Sequence, residues 1–312
     1  MKKHNNNFKR LLTYYLYISL SIHTFIFQKE NNDFKENITN FFDFFKDYDS
    51  YNQTLPYLGT YIPQGLCVVE NDIYITAYDG KKKDNSVIFQ LLSDGNYRTI
   101  CLDTKAHVGG ITYDDKNQLF WICDTNGTIS SYKYQDVIEY DNIMAQTKKL
   151  NVQNNDLINH KGIISAAYLT IFENHLYVGN YSKDNNGILK CYQINDEGKI
   201  NIENYTVYQI PNYVQGVTFY DYDGVTYILF SESYGKINNS TLEICTFDEN
   251  NNDYRNSNSI RYKTPRMMEE ICLDKNDNLI MLFESSAYKY KNGINDMERL
   301  QSVNIKTLIK KK

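Results

Sequence analysis

Five stretches of the chain share one phrase at intervals of about 50 residues, and that repeat constrains the fold more than any other feature. Each stretch has a small or polar start, an apolar run, a turn, and a second apolar run ending in polar residues. They are PQGLCVVENDIYITAYD from Pro63, VGGITYDDKNQLFWICDT from Val108, AAYLTIFENHLYVGNYS from Ala166, VQGVTFYDYDGVTYILFSES from Val214 and MEEICLDKNDNLIMLFESS from Met268. With Gly65, Gly110, Ala167, Gly216 and Glu270 as equivalents, the intervals are 110−65=45, 167−110=57, 216−167=49 and 270−216=54. A third strand is expected after each pair, at Ser86–Phe89, Gly127–Ser130, Gly187–Lys190, Ser240–Glu243 and near Ala287–Tyr290. A fourth is expected near Tyr97–Leu102, Lys148–Val152, Tyr205–Ile210, Ser259–Tyr262 and Gln301–Ile305. Four short strands per unit at this period predict an all-β β-propeller of about five four-stranded blades over 57–312. A sixth blade is the alternative, for which only Tyr57–Tyr61 offers material before Pro63.

The residue usage fits many strands joined by many turns. The chain has 29 Tyr and 15 Phe, which favour half-buried pleated surfaces, but only 4 Pro and 1 Trp. Asn is abundant and suits turns, because its side chain bonds nearby backbone and tolerates the left-handed region. One blade cannot bury both faces of its sheet; neighbours in a closed ring do. The one helix expected inside this region is Tyr134–Met144. A formal charge of -5 and a pI near 5.6 give no basic footprint for nucleic acid. Cys67, Cys101, Cys123, Cys191, Cys245 and Cys272 show no metal-type spacing. Each sits in an apolar run and reads as a buried small hydrophobe, with disulfides as the alternative.

Residues 1–10 carry Lys2, Lys3, Lys9 and Arg10, and residues 11–27 read LLTYYLYISLSIHTFIF. A basic flank before an apolar run is an export signal. No small-x-small cleavage site follows it. An uncleaved signal anchor with an extracytoplasmic domain is expected; a secreted chain after signal cleavage and a buried helix of the soluble domain are the alternatives. Residues 28–56 read as a linker with one short amphipathic helix around ITNFFDFFKDY, packed on the domain or lying at the membrane surface.

The turns Leu273-Asp274-Lys275-Asn276-Asp277-Asn278-Leu279 and Tyr113-Asp114-Asp115-Lys116-Asn117-Gln118-Leu119 resemble the blade phrase of NHL, SMP-30/gluconolactonase and YncE-type propellers. The resemblance covers roughly residues 57–312 and concerns fold. The chain has no repeated NHL signature. Where gluconolactonase-type chains open with Glu-Gly-Pro, its units read Gln64-Gly65, Gln215-Gly216 and Glu269-Glu270.

In such a ring, first-strand starts and second-strand ends meet at one mouth. The starts supply Gln64, His107, Gln215, Glu269 and Glu270, and the ends supply Asp79, Asp124, Asn180, Glu232 and Glu284. Convergent carboxylates repel one another and raise their own pKa values, which a bound cation relieves. Oxygen ligands of this kind suit Ca²⁺, or Mg²⁺ with fewer protein ligands. The gluconolactonase-like resemblance implies a central divalent metal, for which Glu269, Asn180 and Glu284 are candidates, with Asp124 next; a water-filled polar channel is the alternative. His107 before Gly109-Gly110 offers a general base, with a backbone-bonding turn residue as the plainer reading. Ser231-Glu232-Ser233-Tyr234-Gly235-Lys236 reads as a ligand-facing loop or a tight turn.

No GxSxG, GxGxxG or P-loop occurs. The leading expectation is therefore a binding module that takes a small molecule, glycan or protein at the mouth through Gln64, Asp79, Gln215, Glu232, Ser233 and Tyr234. A metal-dependent hydrolase of the lactonase type, using His107, Glu269 and Glu284, is the second. A glycosidase-like arrangement of two carboxyl groups is the third.

Overall fold

The computed structural model describes residues 35–140, 158–159, 166–184, 187–291, 293 and 295–310. Its strands fall into five antiparallel four-stranded sheets. Blade 1 is β2 (Tyr61–Val69), β3 (Asp72–Asp79), β4 (Val87–Leu91) and β5 (Tyr97–Cys101). Blade 2 is β6 (Val108–Asp114), β7 (Leu119–Asp124), β8 (Thr128–Lys133) and β9 (Ile158–Asn159). Blade 3 is β10 (Ala166–Phe172), β11 (His175–Asn180), β12 (Ile188–Gln193) and β13 (Thr206–Gln209). Blade 4 is β14 (Val214–Tyr222), β15 (Val225–Glu232), β16 (Ser240–Thr246) and β17 (Ser259–Thr264). Blade 5 is β18 (Met268–Leu273), β19 (Asn278–Phe283), β20 (Arg299–Asn304) and, from the other end of the chain, β1 (Asp49–Thr54). The first strands touch in the order β2, β6, β10, β14, β18 and back to β2, so the ring is closed with five blades.

Blade 5 departs from the expected pattern. Two short 3-10 turns, Glu284–Ser286 and Tyr288–Tyr290, occupy the place expected for its third strand. The segment expected as its fourth strand is the third, β20, and β1 supplies the fourth by pairing Asp49 with Ser302 and Ser50 with Gln301. β1 comes from the stretch read as linker, and its sequence, DSYNQT, has no apolar alternation to announce it. An outermost strand needs ladder partners more than a buried face, so polar residues suffice there. The fourth strand expected at Lys148–Val152 lies outside the described residues, and β9 pairs with β8 further along. The helix expected over Tyr134–Met144 is described as a short helix, Tyr134–Ile138, and residues from 141 lie outside the description.

One apolar cluster fills each of the five seams between neighbouring blades. Ile62, Tyr74 and Ile88 meet Ile111, Phe120 and Ile122 between blades 1 and 2. Trp121, Cys123 and Ile129 meet Leu169, Leu176 and Tyr192 between blades 2 and 3. Tyr177 and Tyr208 meet Phe219 and Phe230 between blades 3 and 4. Leu229 and Leu242 meet Ile271 and Met281 between blades 4 and 5, and Ile73 and Phe89 meet Ile280 and Leu300 between blades 5 and 1. All six cysteines are free thiols, four of them buried in this packing. The helix over residues 35–47 packs as expected on the domain. Its Phe44 is buried, stacks on Tyr48 with centroids 4.1 Å apart, and meets Phe283 edge-on. A closing helix (Ile305–Lys310) adds Ile305, Leu308 and Ile309 to the same seam. The signal or anchor segment 1–27 lies outside the described residues; among those described, no helix is long and apolar enough to cross a membrane.

Candidate functional site: the axial mouth

Every first strand breaks register with its second strand near its start. The shifts fall between Pro63 and Leu66, Val108 and Ile111, Ala166 and Tyr168, Val214 and Gly216, and Met268 and Ile271. A bulge adds a residue to one strand and re-aims the side chains around it. Here it falls on Gln64-Gly65, Gly109-Gly110, Ala167, Gln215 and Glu269-Glu270. Gln64 and Glu269 are thereby tucked into the mouth at 7% and 5% exposure, with Gln215 half-buried beside them.

A continuous chain of hydrogen bonds crosses the mouth. Gln215 Nε2 donates to Glu269 Oε1 at 3.3 Å. Glu269 and Glu284 bond to each other through their carboxyl groups. Gln64 Nε2 donates to Glu284 Oε1 at 3.1 Å and to the Pro63 carbonyl at 2.8 Å. His107 Nε2 meets Gln64 Oε1 at 2.5 Å, and the Tyr78 ring lies 3.9 Å from the imidazole, centroid to centroid. Tyr290 bonds both Tyr78 and Glu284. Blades 4, 5, 1 and 2 all contribute. Because Gln64 spends both its amide hydrogens elsewhere, its Oε1 must accept, and His107 must carry its proton on Nε2.

The electrostatics follow from burial. Two carboxyl groups in contact cannot both be ionised, so the Glu269–Glu284 pair holds a proton between them. Burial, then the charges of Glu284 and Glu270, holds Glu269 well above the usual carboxylate range. Burial pushes Glu284 up to about 7, opposed by the bond from Gln64 and the Lys289 ammonium. Burial, followed by the positive charges of Lys289 and Lys82, lowers His107 to about 4. Near neutral pH the mouth is lined by a neutral imidazole, two amides and a carboxyl pair that retains a proton.

The second-strand ends do not join this chain, Glu284 apart. Asp79 accepts from the Lys81, Lys83 and Asp84 amides at 3.1, 2.7 and 3.1 Å. Asp124 Oδ1 accepts from the Asn126 and Thr128 amides at 2.8 and 3.2 Å. Asn180 Oδ1 accepts from the Ile188 amide at 2.7 Å. All three satisfy the loop that leads into the third strand, a structural duty at equivalent places. Among the described residues no three His, Cys, Asp or Glu groups are placed to hold a metal. Glu232 turns to Arg261 at 2.6 Å; the same guanidinium holds Glu243 at 2.7 Å. Burial and the neighbouring Glu243 push Glu232 up to about 9. Ser233 is buried and accepts from the Ser240 hydroxyl at 3.1 Å. Tyr234 is exposed on the rim, its ring 4.7 Å from that of Tyr213. Tyr290 and Lys289 entered the site unannounced. They follow Glu284 in a segment read as strand, and only the surplus length before β20 marked it as a mouth loop.

No family model matches the chain, and no curated protein matches it. Solved structures with which it aligns include the PQQ-bound aldose sugar dehydrogenase of Streptomyces coelicolor, at 10% identity, TM-score 0.49, over 82% of this chain and 97% of that one. An alpha-L-arabinofuranosidase of Clostridium thermocellum aligns at 10% identity and TM-score 0.46, over 74% and 83%. The WD40 beta propeller domain of Doa1 aligns at 9% identity and TM-score 0.45, over 82% and 96%. The likeness is one of fold, as was the resemblance in the turns, and the assignment rests on this chain's own sheet order and ring contacts: it is a five-bladed β-propeller.

Proposed function

We propose that the chain is a ligand-binding propeller that takes a small polar molecule or a glycan end at its axial mouth. The observation that carries this reading is the hydrogen-bonded chain Gln215–Glu269–Glu284–Gln64–His107, drawn from four blades to one end of the ring axis. Its groups both donate and accept, as a hydroxyl does, and little net charge opposes a neutral ligand. The basic-then-apolar stretch 1–27 supports delivery to the outside of a membrane, with the domain tethered there or released.

The hydrolytic alternatives have less support. A lactonase-type metal would compete for Asp124 Oδ1 and Asn180 Oδ1 with the backbone amides they accept from. Glycosidases hold their two carboxyl groups about 5 Å or more apart, whereas Glu269 and Glu284 touch. One observation does favour chemistry: Glu284, pushed up to about 7, is suited to moving a proton at neutral pH.

Thermal-shift and calorimetric screening of saccharides and polyols against the chain and its Glu284→Gln variant tests the reading. A ligand that stabilises the chain and binds the variant about tenfold or more weakly is expected, since one buried charge-assisted bond is lost. Turnover of a lactone or ester abolished by Glu284→Gln would instead establish the chemical reading.

A further inference from the structure

Charge is distributed unevenly between the two ends of the ring. At the end away from the mouth, the turns joining first and second strands carry Glu70, Asp115, Glu173, Asp223, Asp274 and Asp277 against Lys116 and Lys275. At the mouth end, the described loops leaving the second strands carry Lys81, Lys82 and Lys83 in blade 1, Lys183 in blade 3, Lys236 in blade 4, and Lys289 and Lys291 in blade 5, all exposed. The exposed acids in those loops are Asp84, Asp184 and Glu298, the last paired with Lys291 at 3.0 Å. A chain of net charge -5 therefore wears a basic crown on one face.

Tyrosines stand between the lysines. Lys183 Nζ lies 5.3 Å from the Tyr234 ring centroid and 6.0 Å from that of Tyr181. Lys236 and Lys289 each lie 5.0 Å from the Tyr290 centroid. These are separations at which an ammonium is held over an aromatic face. Tyr290 also reaches down to Glu284, so the crown is continuous with the inner hydrogen-bonded chain. From rim to centre, the mouth passes from cations through aromatic faces to groups that donate and accept.

We propose that the mouth recognises an acidic oligosaccharide, with sugar hydroxyls against Gln64, Gln215, His107 and the Glu269–Glu284 pair, ring faces against the tyrosines, and carboxylate, sulfate or phosphate groups on the lysine crown. This rests on the reading of the mouth as a binding site and names its ligand class. Lysines from four blades surround the opening, so a ligand bearing several anionic groups satisfies them better than a single anion. A flat anionic lipid surface would reach the loop tips and leave the recessed inner chain unused.

Isothermal titration of the full chain with tetragalacturonate, cellotetraose and phosphatidylglycerol vesicles tests the proposal. Tetragalacturonate is expected to bind in preference to cellotetraose, and to weaken about tenfold between about 50 and about 500 mM salt. The exposed double variant Lys82→Ala/Lys289→Ala is expected to lose about tenfold in affinity at an unchanged thermal midpoint. Glu284→Gln is expected to weaken both saccharides. Cellotetraose binding equally well, untouched by the lysine changes, overturns the acidic preference and leaves the mouth reading standing. Tetragalacturonate binding that Glu284→Gln leaves intact overturns the mouth reading and reduces the crown to a surface site. Lysine-dependent capture of vesicles without saccharide binding, or no binding at all, overturns the proposal outright.

Discussion

Four of the five equivalent first-strand positions hold Gly65, Gly110, Ala167 and Gly216; the fifth holds Glu270, 1% exposed. Its Oε1 accepts from the Ile271 amide at 3.1 Å, while Oε2 has no hydrogen-bond partner. Gly216 is small because a Cβ there would collide with that carboxyl group. Burial among Cys67, Cys123 and Tyr168 keeps Glu270 protonated well above its ordinary 4.5. The folded state therefore keeps a proton that the unfolded chain loses first. Stability from this group is fully present below pH 4.5 and falls as pH rises through the higher folded value. Glu284 adds a loss between 4.5 and about 7. Glu270→Gln should match the parent in urea unfolding at pH 4 and exceed it by about 1–3 kcal/mol at pH 8. Parallel pH profiles for the two would place the pH dependence elsewhere. At this scale the sequence was half legible. The repeat marked Gln64, His107, Gln215, Glu269 and Glu284 as neighbours at one mouth. It also put Asp79, Asp124 and Asn180 there, because a strand's direction tells which end a residue occupies but not which backbone amides claim its oxygens.

The bulged first strand is the element on which the site depends. The bulge aims Gln64, Gln215 and Glu269, and small residues beside it let neighbouring strands close in on the axis. A Cβ on Gly110 would lie 2.7 Å from the Leu169 amide nitrogen, and one on Gly109 would overlap the Ala167 carbonyl. Both obstacles are backbone and cannot swing away. Gly109→Ala should cost about 3 kcal/mol in chemical denaturation, the upper part of the range for overpacking, whereas Gly95→Ala, in an open turn of positive φ, should cost about 1 kcal/mol from backbone strain alone. Equal losses at both positions would remove the packing argument. Strand pairs were readable wherever apolar alternation marked them, as in β2–β3 and β14–β15. β1 and the mouth loop before β20 were not. One is a polar outer strand, and the other is an insertion whose tyrosines imitate a strand.

Closure governs the molecule as a whole. Five apolar seams hold the ring together, and β1 hydrogen-bonds β20 to complete the last blade. A chain begun at Tyr57 lacks β1 and the helix before it, leaving β20 as a bare edge and uncovering the pocket filled by Phe44 and Tyr48. Differential scanning calorimetry should find its midpoint lower by about 10 °C or more, with association through the exposed edge, relative to a chain begun at Lys35. An unchanged midpoint would make β1 ornamental.

The same pairing sets an order of events during synthesis. Asp49 leaves the ribosome 302−49=253 residues before its partner Ser302. Blades 1 to 4 can form as they emerge, but the fifth cannot be completed until β20 has been made. β1 must wait through that interval without engaging another edge, which is a reason for its polar sequence: a strand that held out this long with an apolar face would invite aggregation. The ring also inspects itself, since synthesis that stops before β20 leaves an open, sticky arc that proteases can recognise.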